Sequence, residues 1–181
     1  MIDRMGNLRT TLQFGVVIVL GFLVFLLDYW EIGNPIVNEM VLFTISVSKS
    51  GYFIWFTLSS IQSTAHREFF FHEFVPFVVM SVLLIILSFG VDYYCLFRIN
   101  ENAFSGEIPE GYELETATTF LYFSVTNFTT AGLGDIVPKT VSARVFVMLE
   151  LIIGFFFTIL VIANITQIRE SFSRKTKKRS S

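Results

Sequence analysis

The chain has 181 residues, 53% of them hydrophobic and 15% charged, with a mean hydropathy of +0.65. Soluble domains run at about 45–50% apolar, and here the excess is gathered in blocks, so an ordinary soluble globule is excluded. The single cysteine, Cys95, excludes an internal disulfide framework. The net charge of −2 says little by itself, whereas its distribution along the chain says much.

A membrane-spanning helix needs about 20 mostly apolar residues, and four blocks qualify, at 11–30, 39–61, 74–97 and 144–166. The first is long enough to span and no small-residue cleavage site follows it, so it is expected to stay in the mature protein rather than act as a signal peptide. The second is the least regular, because Lys49 and several Ser and Thr residues interrupt it. Arg4 and Arg9 precede the first span, Arg67 lies between the second and third, and Arg169, Arg174, Lys175, Lys177, Lys178 and Arg179 follow the fourth. With four spans these regions share one side, the cytoplasmic one by the positive-inside rule, and both termini are cytoplasmic. The opposite side receives Asp28, Glu31 and a linker carrying Glu101, Glu107, Glu110, Glu113 and Glu115. The basic tail, 169–181, anchors the helix end and sets topology; binding of anionic lipid is its sharper reading.

The segment between the third and fourth spans, 98–143, differs from the other loops. Residues 98–116 read as an exposed acidic loop with turn signals at Ser105-Gly106 and Pro109-Glu110-Gly111. Residues 117–129 are apolar with interspersed hydroxyls, too short to span and long enough for three helical turns. A half-helix followed by glycines is the sequence form of a re-entrant loop, tolerated at membrane depth only where protein buries it or water lines it.

Thr129-Thr130-Ala131-Gly132-Leu133-Gly134-Asp135 follows that half-helix. A cation leaving its water shell needs replacement oxygens, and backbone carbonyls are neutral ligands suited to that task. Glycines at alternate positions reach positive φ without steric penalty, so Gly132 and Gly134 let successive carbonyls face one axis, with the Thr130 hydroxyl at the inner end. Five residues in extended form cover up to about 17 Å, room for several ions in file. The C-terminal end of the half-helix, partially negative, also favours a cation. One chain offers one strip of oxygens, so enclosing the ion requires a symmetric ring.

FLYFSVTNFTTAGLGDIVPKT resembles the pore helix and filter of potassium channels, whose usual filter reads T-V-G-Y-G-D, and Arg144, Phe146 and Leu149-Glu150-Leu151-Ile152-Ile153-Gly154 resemble the start of that family's inner helix. The resemblance covers about 73–168 and is strongest over 120–164. It implies a fourfold ring conducting K⁺ through Thr130, Ala131, Gly132, Leu133 and Gly134, with Asp135 at the outer mouth. Tyr122 and Phe123 match the aromatic pair that packs behind the filter, and Asn127 and Thr129 complete its support. Three positions depart from the pattern: Ala131 stands for Val, Leu133 for Tyr and Asn127 for Thr. Leu133 resembles some second-pore filters of two-pore-domain potassium channels. The filter length is unchanged, so K⁺ geometry is retained, while a looser filter passing Na⁺ is the alternative.

The remaining candidates carry less. Lys49 sits about 15 Å inside its span, counted at 1.5 Å per residue from Glu39, and can reach toward Asp92 as a structural pair; a sensing element is the sharper reading. No ladder of Arg or Lys marks a voltage sensor. His66 and His72 with Glu68 and Glu73 match no strong metal motif. Gly154 reads either as an inner-helix hinge or as a small residue for close packing. Trp30 and Trp55 suit interfacial or lipid-facing anchoring.

The expectation is an all-α membrane protein of four transmembrane helices with a re-entrant pore helix and filter, assembled as a homotetramer in the cell membrane. An N-terminal transmembrane hairpin, 1–72, precedes a pore domain, 73–168, and the basic tail. Its function is passive cation flux, most simply of K⁺, with no enzymatic chemistry, no cofactor beyond the permeant K⁺ ions and no nucleic-acid partner. Partners are three identical subunits and the bilayer. The alternatives are a nonselective monovalent cation channel of the same architecture and a nonconducting scaffold or partner subunit.

Overall fold

A computed structural model describes residues 35–64, 71–109 and 112–179, with side chains at 37–55, 78–109 and 112–162. The first expected span, Arg4, Arg9, Asp28, Trp30, Glu31, Arg67, the side chains of the His66/His72 group and those of the basic tail lie outside the described residues. In chain order the elements are α1 (Pro35–Thr64), α2 (Phe71–Ile99), a short 3-10 turn (Glu101–Ala103), β1 (Phe104–Gly106), α3 (Glu113–Phe128), β2 (Ile136–Pro138) and α4 (Val141–Arg179).

Two segments among the described residues are long and apolar enough to cross a membrane, Val78–Ile99 in α2 and Val141–Ile162 in α4. They overlap the third and fourth expected spans, 74–97 and 144–166, each shifted by a few residues, and the described chain is mostly helical. At 1.5 Å per residue α4 is about 58 Å long, well beyond a hydrocarbon core of about 30 Å. It therefore continues as one helix past its apolar part into the basic tail.

Helix α1 docks through Leu42, Ser46, Lys49, Ser50 and Phe53, all buried and spaced so that they share one helical face. Phe43 meets Phe146 of α4 edge-on at 5.9 Å, and Phe53 meets Phe157 at 6.3 Å. Lys49 and Asp92 are 3% and 0% exposed and form an ion pair at 2.7 Å, with Ser46 Oγ donating to the same carboxylate at 2.6 Å. The two buried charges, on neighbouring helices, therefore pair with each other.

The linker between α2 and α3 is more ordered than an exposed acidic loop. β1 pairs antiparallel with β2, with Phe104 opposite Pro138 and Gly106 opposite Ile136. Lys139 N–H donates to the Ala103 carbonyl at 2.8 Å and prolongs the pairing. The pairing is anchored by the buried Ala103 and Phe104: the Phe104 ring lies 5.1–5.8 Å from those of Tyr93, Phe120 and Phe123. Aromatic pairs of this kind contribute about 0.5–1.5 kcal/mol each beyond area burial. Helix α3 begins at Glu113, four residues before the expected 117, so Glu113 and Glu115 belong to its first turn, where carboxylates are favoured by the helix dipole.

Candidate functional site

The pore loop is built outward from α3. Its buried face carries Phe120, Phe123, Ser124 and Asn127, and its other face leaves Tyr122 and Val125 exposed. Helix α3 ends in a Schellman motif: Thr130 N–H donates to the Asn127 carbonyl and Ala131 N–H to the Thr126 carbonyl, both at 2.8 Å. That motif needs a left-handed residue at its turn, and Thr130 supplies it with φ of +58°. Glycine or asparagine is the usual occupant, because a β-branched residue is strained there by about 1–2 kcal/mol. A threonine kept at such a position points to a use for its hydroxyl.

Positive φ recurs at alternate residues: +58° at Thr130, +53° at Gly132 and +79° at Gly134, while Ala131 and Leu133 between them stay negative. Thr130 through Asp135 are all exposed in the single chain, Leu133 to 65%. A side-chain carbon at Gly132 or Gly134 would meet nothing within 4 Å, so these glycines serve backbone conformation and not packing. Beside the strip is a cleft of about 200 Å³, lined in part by Phe123, Asn127, Leu133, Asp135 and Val147.

Asp135 closes the strip. Its carboxylate accepts a hydrogen bond from Ile136 N–H at 3.0 Å. Its hydrogen bond with the Tyr122 hydroxyl holds that phenol above the usual tyrosine range. Phe123 is buried 5.0 Å from Tyr93. Thr129 caps α3 through its own hydroxyl, which donates to Val125 O at 2.8 Å. Asn127 is buried, and its side-chain amide nitrogen has no hydrogen-bond partner.

This arrangement, a half-helix and glycine strip between two spanning helices, coincides with the comparisons. Residues 79–170, half of the chain, match the family model for ion channels. The chain belongs to the ion-channel family. An 80-residue stretch of the chain is 35% identical to two-pore potassium channel 4 of Arabidopsis thaliana. That stretch is 44% of this chain and covers about a quarter of the length of the plant protein. No solved structure matches it. The family is that of the potassium-channel pore domain, to which the pore-loop motif pointed.

Sequence reading took Gly106 only as a turn signal and Gly154 as either a hinge or a packing residue, and it assigned no role to Gly90, Tyr93, Ser124 or Glu150; all of these hold the pore loop. Gly106, with φ of +140°, sits so close to Asp135 that a side-chain carbon there would collide with the Asp135 carbonyl oxygen. Gly90 on α2 lets the Leu121 backbone approach, with its own side-chain position 3.2 Å from Leu121 Cα. Gly154 is buried in an unbroken α4, and a side-chain carbon there would come within 3.2 Å of the Phe128 ring. Tyr93, Ser124 and Glu150 form a buried hydrogen-bonded cluster behind the strip. Glycine in a helix is ambiguous by sequence, and partners 26 to 57 residues apart leave no local pattern.

Proposed function

We propose that four copies of this channel surround one axis and conduct K⁺ passively. In this reading the carbonyls of Thr130, Ala131, Gly132, Leu133 and Gly134, with the Thr130 hydroxyl, replace the ion's water shell, and Asp135 lies at the outer mouth. The observation that carries it is the alternation of φ sign along the strip. Alternating left- and right-handed residues turn successive carbonyls to the same side, and a plain extended strand turns them to opposite sides. Rings of such carbonyls give several weak sites in file, which allow entry and exit.

The tetramer is supported by what one chain leaves uncovered. Met148, Ile152, Phe155, Ile159 and Ile162 of α4 are exposed. Their alternating spacing of four and three residues makes one continuous apolar stripe, the pattern of a helix that packs on another. The topology that goes with this reading has four spans, both termini cytoplasmic, an N-terminal hairpin around the pore domain and a basic tail at the cytoplasmic lipid surface. No chemical conversion is involved, and the permeant ion is the one ligand.

The test is purified protein in planar bilayers with K⁺ on one side and an equal concentration of Na⁺ on the other. A reversal potential displaced far in the K⁺-selective direction supports the reading. Reversal near zero shows a nonselective cation channel, and absence of current under every gradient shows a nonconducting subunit.

A further inference from the structure

Glu150 lies in the middle of the spanning segment Val141–Ile162 and is 0% exposed. One of its oxygens is 2.6 Å from the Tyr93 hydroxyl of α2, and the other meets the Ser124 hydroxyl of α3. Ser124 Oγ is also 2.9 Å from the Ile86 carbonyl of α2. The one buried cation among the described residues, Lys49, is already held by both oxygens of Asp92, at 2.8 and 2.7 Å.

The protons in this cluster can be counted. Three oxygen–oxygen contacts each need one hydrogen: Tyr93 to Glu150, Ser124 to Glu150 and Ser124 to Ile86. Each hydroxyl has a single hydrogen, so the two hydroxyls supply two, and an oxygen pair at hydrogen-bond distance without a hydrogen repels. A proton on Glu150 completes the set. Glu150 then donates to Ser124, Ser124 donates to Ile86 O, and Tyr93 donates to the second carboxyl oxygen. The same proton removes a charge that would otherwise be buried at membrane depth with no cation beside it.

The cluster sits at the centre of the clamp on the pore helix. Leu121, Ser124 and Phe128 lie on one face of α3, and they meet Gly90, Glu150 and Gly154 in turn. Glu150 and Gly154 are one turn apart, as are Ser124 and Phe128, so α3 and α4 are held in register at two points. Any slide or rotation of α3 at Ser124 is passed through its last turns to the Schellman cap and Thr130.

We propose that Glu150 is a positioning residue for the ion filter, held as the neutral acid and fixing α3 to both α2 and α4. The inference rests on the reading under Proposed function. It concerns a residue that does not touch the ion, so its signature is selectivity and not assembly.

The experiment compares wild type with E150Q, E150L, S124A and Y93F, purified and reconstituted for bi-ionic K⁺/Na⁺ reversal potentials, with oligomeric state read in detergent. E150Q offers Ser124 a donor and Tyr93 an acceptor, as the neutral acid does, and is expected to keep the wild-type permeability ratio. E150L and S124A leave buried polar groups unpaired and are expected to shift that ratio about tenfold without changing the oligomer. The infrared difference between wild type and E150Q is expected to contain a protonated-carboxyl C=O band. A conducting wild type whose E150L and S124A variants keep its ratio overturns the inference, as does an E150Q variant as impaired as E150L, or the absence of that band. Should E150L fail to assemble, S124A and Y93F, which each remove a single oxygen, decide the matter. A wild type without cation current overturns the functional reading, and this inference with it.

Discussion

The front and the back of the pore loop are built to opposite rules. On the front, Thr130 to Asp135 are exposed and two glycines have empty space where side chains would be. On the back, Phe120, Phe123 and Ser124 are buried in a completed core of aromatic rings and hydrogen bonds. Each side uses glycine. At Gly132 and Gly134 it supplies a backbone angle, and at Gly90, Gly106 and Gly154 it also makes room for a neighbour. A single chain buries the back of the loop and leaves the strip uncovered, as the proposed symmetric ring requires.

The sharpest way to break this comparison is on the front. Gly132→Ala adds a methyl group that touches nothing, so packing and expression are expected to survive. The strained angle costs about 1–2 kcal/mol per residue, and fourfold repetition raises that to roughly 4–8 kcal/mol per ring. K⁺ flux into liposomes is expected to fall below detection while the oligomer is retained. Wild-type flux in this variant would show that the alternation of φ has no part in conduction.

Next in size is the buried pair on the periphery. Lys49→Met leaves Asp92 with no cation, and removal of one partner of a buried pair typically costs about 3–5 kcal/mol. The double variant K49M/D92L removes both charges and is expected to recover most of the wild-type Tm, because well-packed apolar replacements are often neutral. If the single and double variants melt together, the pair does not hold α1 to α2. Recovery in the double variant would show that the periphery, like the Tyr93–Ser124–Glu150 cluster behind the strip, depends on pairing its buried polar groups.

These regions were unequally legible in the sequence. The spans at 78–99 and 141–162 could be read because a long apolar run has few other uses. The pairing of Lys49 with Asp92 could be read because opposite charges inside two apolar stretches have little choice of partner. The strip itself was visible through the spacing of Gly132, Gly134 and Asp135. The β1–β2 pairing was not: three residues are too few for strand periodicity, a whole helix separates the two strands, and Ser105-Gly106 with Pro109 read as turns. The strained cap at Thr130 was hidden because the residue type there is not the one the motif prefers. Glu150 was read only as part of the inner-helix resemblance, and its role was hidden because its partners lie on two other helices.

A smaller effect is expected where back and inner helix meet. Gly154→Ala places a carbon 3.2 Å from the Phe128 ring, an overpacking whose usual cost is about 1–3 kcal/mol. The ring can yield by a few tenths of an ångström, so the lower end is expected. Because Phe128 ends α3, the accompanying change should be a modest loss of current with little loss of Tm. A large drop in current with unchanged Tm would instead mark Gly154 as a hinge in an opening motion.

The smallest expected effect is at the rim, where the back of the loop reaches the surface. Arg98 at the end of α2 pairs with Glu113 in the first turn of α3 at 2.8 Å, and both are exposed, to 42% and 77%. Exposed pairs contribute about 0–1 kcal/mol, and a carboxylate in a first helical turn adds about 0.3–1 kcal/mol through the helix dipole. Glu113→Gln removes both terms and leaves the buried hydrogen bonds of the clamp untouched, so Tm should fall slightly and the K⁺/Na⁺ ratio should not move. At 1 M salt, where screening acts within about 3 Å, the difference from wild type should vanish. A Glu113→Gln deficit that persists in high salt, or a shifted ion ratio, would mean that the rim takes part in holding the strip and that the boundary between scaffold and working surface lies further out than Tyr93, Ser124 and Glu150 place it.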